Sequence, residues 1–192
     1  MIKKLISLGL IIILLMITGC IFQDPSNNNH NQNDNTTFSL ATTMPSVNQL
    51  NKQMDLLHHN HTTTPYEMQN LTGFNNTWYI QEGVFSIFAC NTSRLEISII
   101  RLDTKENAEL NIQQKKVQLT SYDFIDYPMD PLGDSSFLMK NKMPFKDDEI
   151  DVWELFFSYD EIIVNIKGYA SDVNDIIEYA QLIEGNIQQH SQ

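Results

Sequence analysis

Apolar and polar positions change their period several times along the chain, and each change marks an element. Val47, Leu50, Met54 and Leu57 recur at helical spacing behind Pro45. Ser46 and Gln49 form a capping-box pattern, so a first helix is expected over 47–58. Turn and polar residues dominate 66–77, a long surface loop. Residues 78–81 and 84–90 read as two strands about a Glu82-Gly83 turn. In 95–102, Leu95, Ile97 and Ile99 alternate with Glu96 and Ser98, which predicts a third strand with one buried face and completes a meander. A second helix starts at a cap-like 103–106 and runs to about Thr120. Ala108, Leu110, Ile112, Val117 and Leu119 are its apolar set, and Lys105, Glu109, Lys115 and Lys116 its solvated face.

Residues 122–136 form an acidic turn region with two prolines and a glycine. A strand over 137–143 and a charged turn over 144–149 follow. Strands 152–159 and 162–169 about Asp160-Glu161 make the strongest hairpin, with Trp153 in its core. The last helix opens near Ser171, with Asp172 and Asp175 in the first turn, where the macrodipole favours acids. Val173, Ile176, Ile177, Ala180, Ile183 and Ile187 trace its apolar stripe. The order predicts an α+β fold: an antiparallel sheet of about five to six strands with two to three helices packed against it, in a single domain over 46–192.

Ahead of that domain the pattern is different. Lys3 and Lys4 precede an apolar run over 5–17, broken only by Ser7 and Gly9, of the length of an export signal. It closes on Ile17-Thr18-Gly19-Cys20, which resembles the lipobox of prokaryotic lipoproteins. The resemblance implies a signal peptide over 1–22 and a diacylglyceryl group on the Cys20 thiol, whose two chains would anchor stably where one would not. The other reading is an uncleaved N-terminal anchor, although 5–22 falls just short of the ~20 apolar residues of a spanning helix. Either way the domain faces the extracytoplasmic side of a cell membrane. Residues 23–45 read as a disordered polar tether, with 23–37 almost purely Asn, Gln, Asp, Ser and Thr. A coil of about fifteen residues would hold the domain roughly 20 Å from the membrane.

Composition narrows the partners. The 192 residues leave room for one domain of common size. A net charge of −12 at pH 7 argues against nucleic acid and against lying flat on anionic lipid. Partners are expected to be neutral, cationic or sugar-like, either an envelope protein or a small ligand, with the chain a monomer. If Cys20 is acylated, Cys90 is the only thiol left, so no internal disulfide forms. Cys90 ends the apolar run 83–89 and is expected to be buried and inert.

Candidate chemistry lies in three places. His58, His59 and His61 could offer imidazoles to a metal, but a helix end also favours His, and no Cys or Glu completes a tetrahedron. Asp126, Asp130 and Asp134, with Asp123, carry hard oxygens, at a spacing that is not that of an EF-hand; the first three are candidates to line a ligand groove. Beside Glu149 or Asp151 they would serve an envelope hydrolase if two carboxyls were held about 5 to 10 Å apart in a cleft. Asp134-Ser135-Ser136 lacks the setting of a nucleophile elbow. Asn35, Asn60, Asn70, Asn75 and Asn91 head Asn-x-Ser/Thr triplets, potential glycan acceptors in an exported chain, which if used would point to an archaeal source. No catalytic residue and no cofactor are expected.

From residue 95 onward the order is strand, Ala-containing helix, Leu132-Gly133-Asp134-Ser135, strand, hairpin and terminal helix. That order resembles PsbP-like lipoproteins, extracellular sensor domains of some bacterial kinases, and lipoproteins of archaeal methanogens. The resemblance implies a sheet with helices against it and a groove for a ligand, and it transfers no catalytic residue. The function expected is a membrane-tethered extracytoplasmic lipoprotein with a non-enzymatic ligand- or protein-binding domain. The alternatives are the envelope hydrolase using the 122–136 acids and a metal-capturing lipoprotein using the 58–61 histidines.

Overall fold

A computed structural model of the chain describes residues 38–50, 54–63, 80–145 and 148–191. The expected leader with Cys20, the expected tether as far as residue 37 and the expected loop over 66–77 lie outside the described residues, whereas 38–45, expected in the disordered tether, pack onto the domain because Leu40 is fully buried in its core. Among the described residues one antiparallel sheet has seven strands: β1 Asp55–Thr62, β2 Ile80–Ala89, β3 Arg94–Leu102, β4 Ile125–Tyr127, β5 Ser135–Phe145, β6 Asp148–Tyr159 and β7 Ile162–Tyr169. Their order across the sheet is β1-β2-β3-β7-β6-β5-β4, so β7 returns to the centre and seals against β3.

Helix α1, Lys105–Thr120, joins the central β3 to the edge strand β4, and α2, Val173–His190, follows β7. Successive side chains of a strand point to opposite faces, and the core divides accordingly. Leu95, Ile97 and Ile99 of β3 and Val164 and Ile166 of β7 pack beneath Ile176, Ala180, Ile183 and Ile187 of α2. On the other face Ile100, Phe156 and Ile163 pack beneath Ala108, Ile112 and Leu119 of α1. Thr104 caps α1 by accepting from the Asn107 N–H, and Asp172 caps α2 by accepting from the Asn174 N–H. Two expectations hold closely here, the bounds of the second helix and the Asp160-Glu161 hairpin, in which Tyr159 pairs with Ile162; within that helix, however, Leu110 and Val117 of the expected apolar set are exposed, and Lys115 of the expected solvated face is partly buried. Trp153 is buried, with Tyr127 edge-on at 5.0 Å between ring centroids.

Three expectations fail, each through pairing at long range. The helix over 47–58 is instead a 3-10 turn, Val47–Gln49, followed by β1. Gln49 Oε1 does accept from the Ser46 N–H at 2.9 Å, but Leu50 is already extended at φ −82°, ψ 133°. Leu50 and Met54 still reach the core, whereas Leu57 is exposed on an edge strand hydrogen-bonded to β2. Glu82-Gly83 is no turn, because both residues pair with β3 inside one strand, opposite Arg101 and Ile100. Finally, β1 and the short β4 inside the acidic segment raise the strand count above the expected five to six, and β5 runs on through Pro144 and Phe145, which pair with Glu149 and Asp148.

Candidate functional site

Helix α1 covers only part of its face of the sheet. Beside its C-terminal half lies a groove of about 510 Å³, walled by Lys115, Gln118 and Leu119 of α1, by Tyr122 and Phe124 beyond it, and by Asn141 and Met143 of β5. The register explains its polar floor. In one row across the sheet Glu96 of β3 pairs with Lys167 of β7, which pairs with Glu154 of β6. In the next row Ser98, Asn165 and Phe156 stand side by side, with Phe85 of β2 opposite Ser98. A second cavity of about 550 Å³ adjoins the first at Glu96 and Met143, between the Cys90–Arg94 loop, Tyr169 and the Phe145 end of β5.

Charges on the floor are closed among themselves. Lys167 Nζ lies 2.9 Å from Glu154 Oε1, and Arg94 Nη2 lies 2.7 Å from Glu96 Oε1. Burial works against the Lys167 ammonium, but Glu154 and the Tyr169 phenol oxygen outweigh it, so its pKa stands above the usual lysine value. Lys115 goes the other way: burial, with Lys167 adding repulsion, pushes its pKa down despite Glu154. Burial also raises the Tyr169 phenol, which stays protonated at neutral pH.

Cys90 departs from the buried thiol expected of it. It is half-buried at the rim of the second cavity, its Sγ 3.1 Å from Ser93 Oγ. Hydrogen bonds from the Ser93 hydroxyl and then the Thr92 backbone bring its pKa down from 9.0 to about 7.

The acids named from the sequence do not line this groove. Asp126 is 2.9 Å from Lys116, Asp134 is 2.6 Å from Lys105, Asp151 is 2.8 Å from Lys140, and Glu149 is 3.5 Å from Lys142. Asp130 is exposed. Each paired carboxylate thus belongs to a different lysine. Asp134 is a turn clasp: it accepts from the Asp160 N–H at 2.8 Å, and the Lys105 hydrogen bond holds its pKa below the usual carboxylate value. The histidines are separated by the strand period. His59 meets Ser86 Oγ at 2.8 Å and His61 meets Glu82 Oε1 at 2.9 Å on the α2 face, while His58 tilts against Phe85 on the other. No metal-holding group of three ligands occurs among the described residues. Asn60 is half-buried in β1 and Asn91 is exposed at the second cavity; Asn35, Asn70 and Asn75, like Cys20, fall outside the described residues.

The alternation in β3 sets Glu96 and Ser98 on a face expected to meet solvent, and nothing local singles out Asn141, Glu154, Asn165 or Lys167. The sequence carries polar residues at alternate positions in two strands, Glu96/Ser98 and Asn165/Lys167, and a lone Glu154 in a third. Only the strand order makes those one surface.

In fold the chain is similar to the crystal structure of the extracellular domain of PknH from Mycobacterium tuberculosis, with a TM-score of 0.59 and 8% identity over 78% of this chain and 94% of that one. An uncharacterized protein of Mycobacterium smegmatis aligns at a TM-score of 0.30 and 9% identity over 70% of this chain and 86% of that one, too low to bear on the fold. No protein family matches the sequence, and no curated protein does.

Proposed function

We propose that the chain is a membrane-tethered extracytoplasmic lipoprotein whose domain binds a ligand without transforming it. The observation that carries this is the groove on the α1 face, a concave site whose polar floor lies between walls that mix apolar side chains with Lys115, Gln118 and Asn141. Its carboxylates are held in ion pairs with Arg94 and Lys167, which suits recognition more than proton transfer. The fold shared with the PknH extracellular domain supports the placement, and the Ile17-Thr18-Gly19-Cys20 lipobox supports the anchor.

The test is made on cells that express the full chain. Mass spectrometry of the membrane fraction is expected to find a mature terminus at Cys20 carrying lipid, and a membrane-impermeant maleimide is expected to label Cys90 in intact cells. An unmodified full-length chain in the cytosol, with Cys90 labelled only after lysis, would overturn the proposal.

A further inference from the structure

The structure points to a neutral, polyhydroxylated ligand: we infer that the groove takes a short glycan. This rests on reading the groove as a binding site and goes on to the chemistry of what fills it.

Charge is the first argument. Glu96 is closed by Arg94 at 2.7 Å and Glu154 by Lys167 at 2.9 Å, while Lys115 on the wall faces Glu154 and Lys167, so neither carboxylate of the floor is left uncompensated. A cation entering it would meet Lys115 and Lys167, and an anion would meet two carboxylates already engaged by their partners; each would leave a desolvated polar group unmatched. The paired groups nevertheless keep hydrogen-bonding capacity. A carboxylate has about four lone-pair sites and an ammonium three donors, of which one pairing uses few. Ser98, Asn165, Asn141 and Gln118 add hydroxyl and amide groups that donate and accept. Mixed donors and acceptors, spaced about 4.8 Å apart across adjacent strands, are matched by a ligand whose own groups both donate and accept, and that is a set of hydroxyls.

The walls supply the second argument. Phe85 and the exposed Tyr122 in the first cavity and Tyr169 in the second bring aromatic rings beside the same polar floor. An aromatic face is electron-rich and attracts the C–H edges that a sugar ring presents on its apolar side. A peptide is disfavoured by the backbone. β3, β7 and β6 are paired along both edges, so the floor exposes side chains alone and has no open ladder for an added strand. The chain's charge of −12 further disfavours acidic glycans.

Calorimetric titration of the full-length chain, in a detergent without a sugar head group, tests the inference. The probes are neutral trisaccharides of glucose, of mannose and of N-acetylglucosamine, an acidic trisaccharide of galacturonic acid, and tetra-alanine. At least one neutral trisaccharide is expected to bind. Gln118→Trp, placed on the exposed surface of α1 beside the groove, should weaken it by about tenfold or more with the unfolding midpoint unchanged. Glu154→Gln should weaken the neutral sugar and strengthen the acidic one. Binding of only the acidic sugar or the peptide, blocked by Gln118→Trp, would overturn the neutral glycan while keeping the groove as a binding site. Binding that Gln118→Trp leaves unchanged, or binding of none of the probes, would overturn both.

Discussion

Arg101 Nη1 donates to Glu82 Oε2 at 2.7 Å between β3 and β2, and both residues are buried. The other carboxylate oxygen of Glu82 accepts from Ser39 Oγ at 2.9 Å and from the Leu40 N–H at 2.8 Å, while Arg101 Nη2 donates to the Phe38 carbonyl at 2.9 Å. The ion pair therefore fastens the segment by which the chain enters the domain, and Leu40 behind it is fully buried. Removing one partner of a buried pair leaves the other uncompensated and costs roughly 3–5 kcal/mol. Glu82→Ala should lower stability by that order in chemical denaturation and speed hydrogen exchange at Leu40 before the rest of the sheet.

The turn clasp gives a second prediction, with a definite sign. Asp134 has its pKa depressed in the folded state, first by the Lys105 hydrogen bond and also by the Asp160 N–H. Its contribution is present in full above the ordinary carboxylate value of 3.8 and is lost as the pH falls through the lower folded value. Thermal midpoints measured from neutral to strongly acidic pH should therefore drop less steeply at the acid end for Asp134→Asn than for the native chain.

Cys90 is expected to alkylate as a thiol of pKa about 7. Iodoacetamide rates at that residue, resolved by peptide mass spectrometry, should reach half their maximum near that pH. Ser93→Ala should shift the profile upward toward 9.0, since the Ser93 hydroxyl is the largest lowering influence. A profile identical in the two proteins would refute this account of the thiol.

Two glycines should respond oppositely to alanine. Gly133 sits at φ +55°, donates its N–H to Glu184 Oε1 at 2.7 Å, and has no room for a Cβ against the Ser158 carbonyl. Left-handed strain of about 1–2 kcal/mol and overpacking of about 1–3 kcal/mol both oppose Gly133→Ala. Gly185 lies within α2 with nothing within 4 Å of an added Cβ, so Gly185→Ala should stabilise by about 0.5–1 kcal/mol. Urea denaturation of both variants checks the pair.

What the sequence by itself determined is local. A cap at Thr104 marks the start of α1, a period of 3.6 with a cap at Asp172 specifies α2, and alternation about Asp160-Glu161 specifies the hairpin, because those patterns are set by neighbours a few residues apart. Tertiary structure alone decided the remainder. Val47, Leu50, Met54 and Leu57 keep helical spacing, yet the backbone bonds available along β2 draw residues from Asp55 onward into a strand. The floor of the groove arises in the same way: Glu96, Lys167 and Glu154 come together only because β7 inserts between β3 and β6, a register held by hydrogen bonds between distant segments that leave no local trace in the sequence.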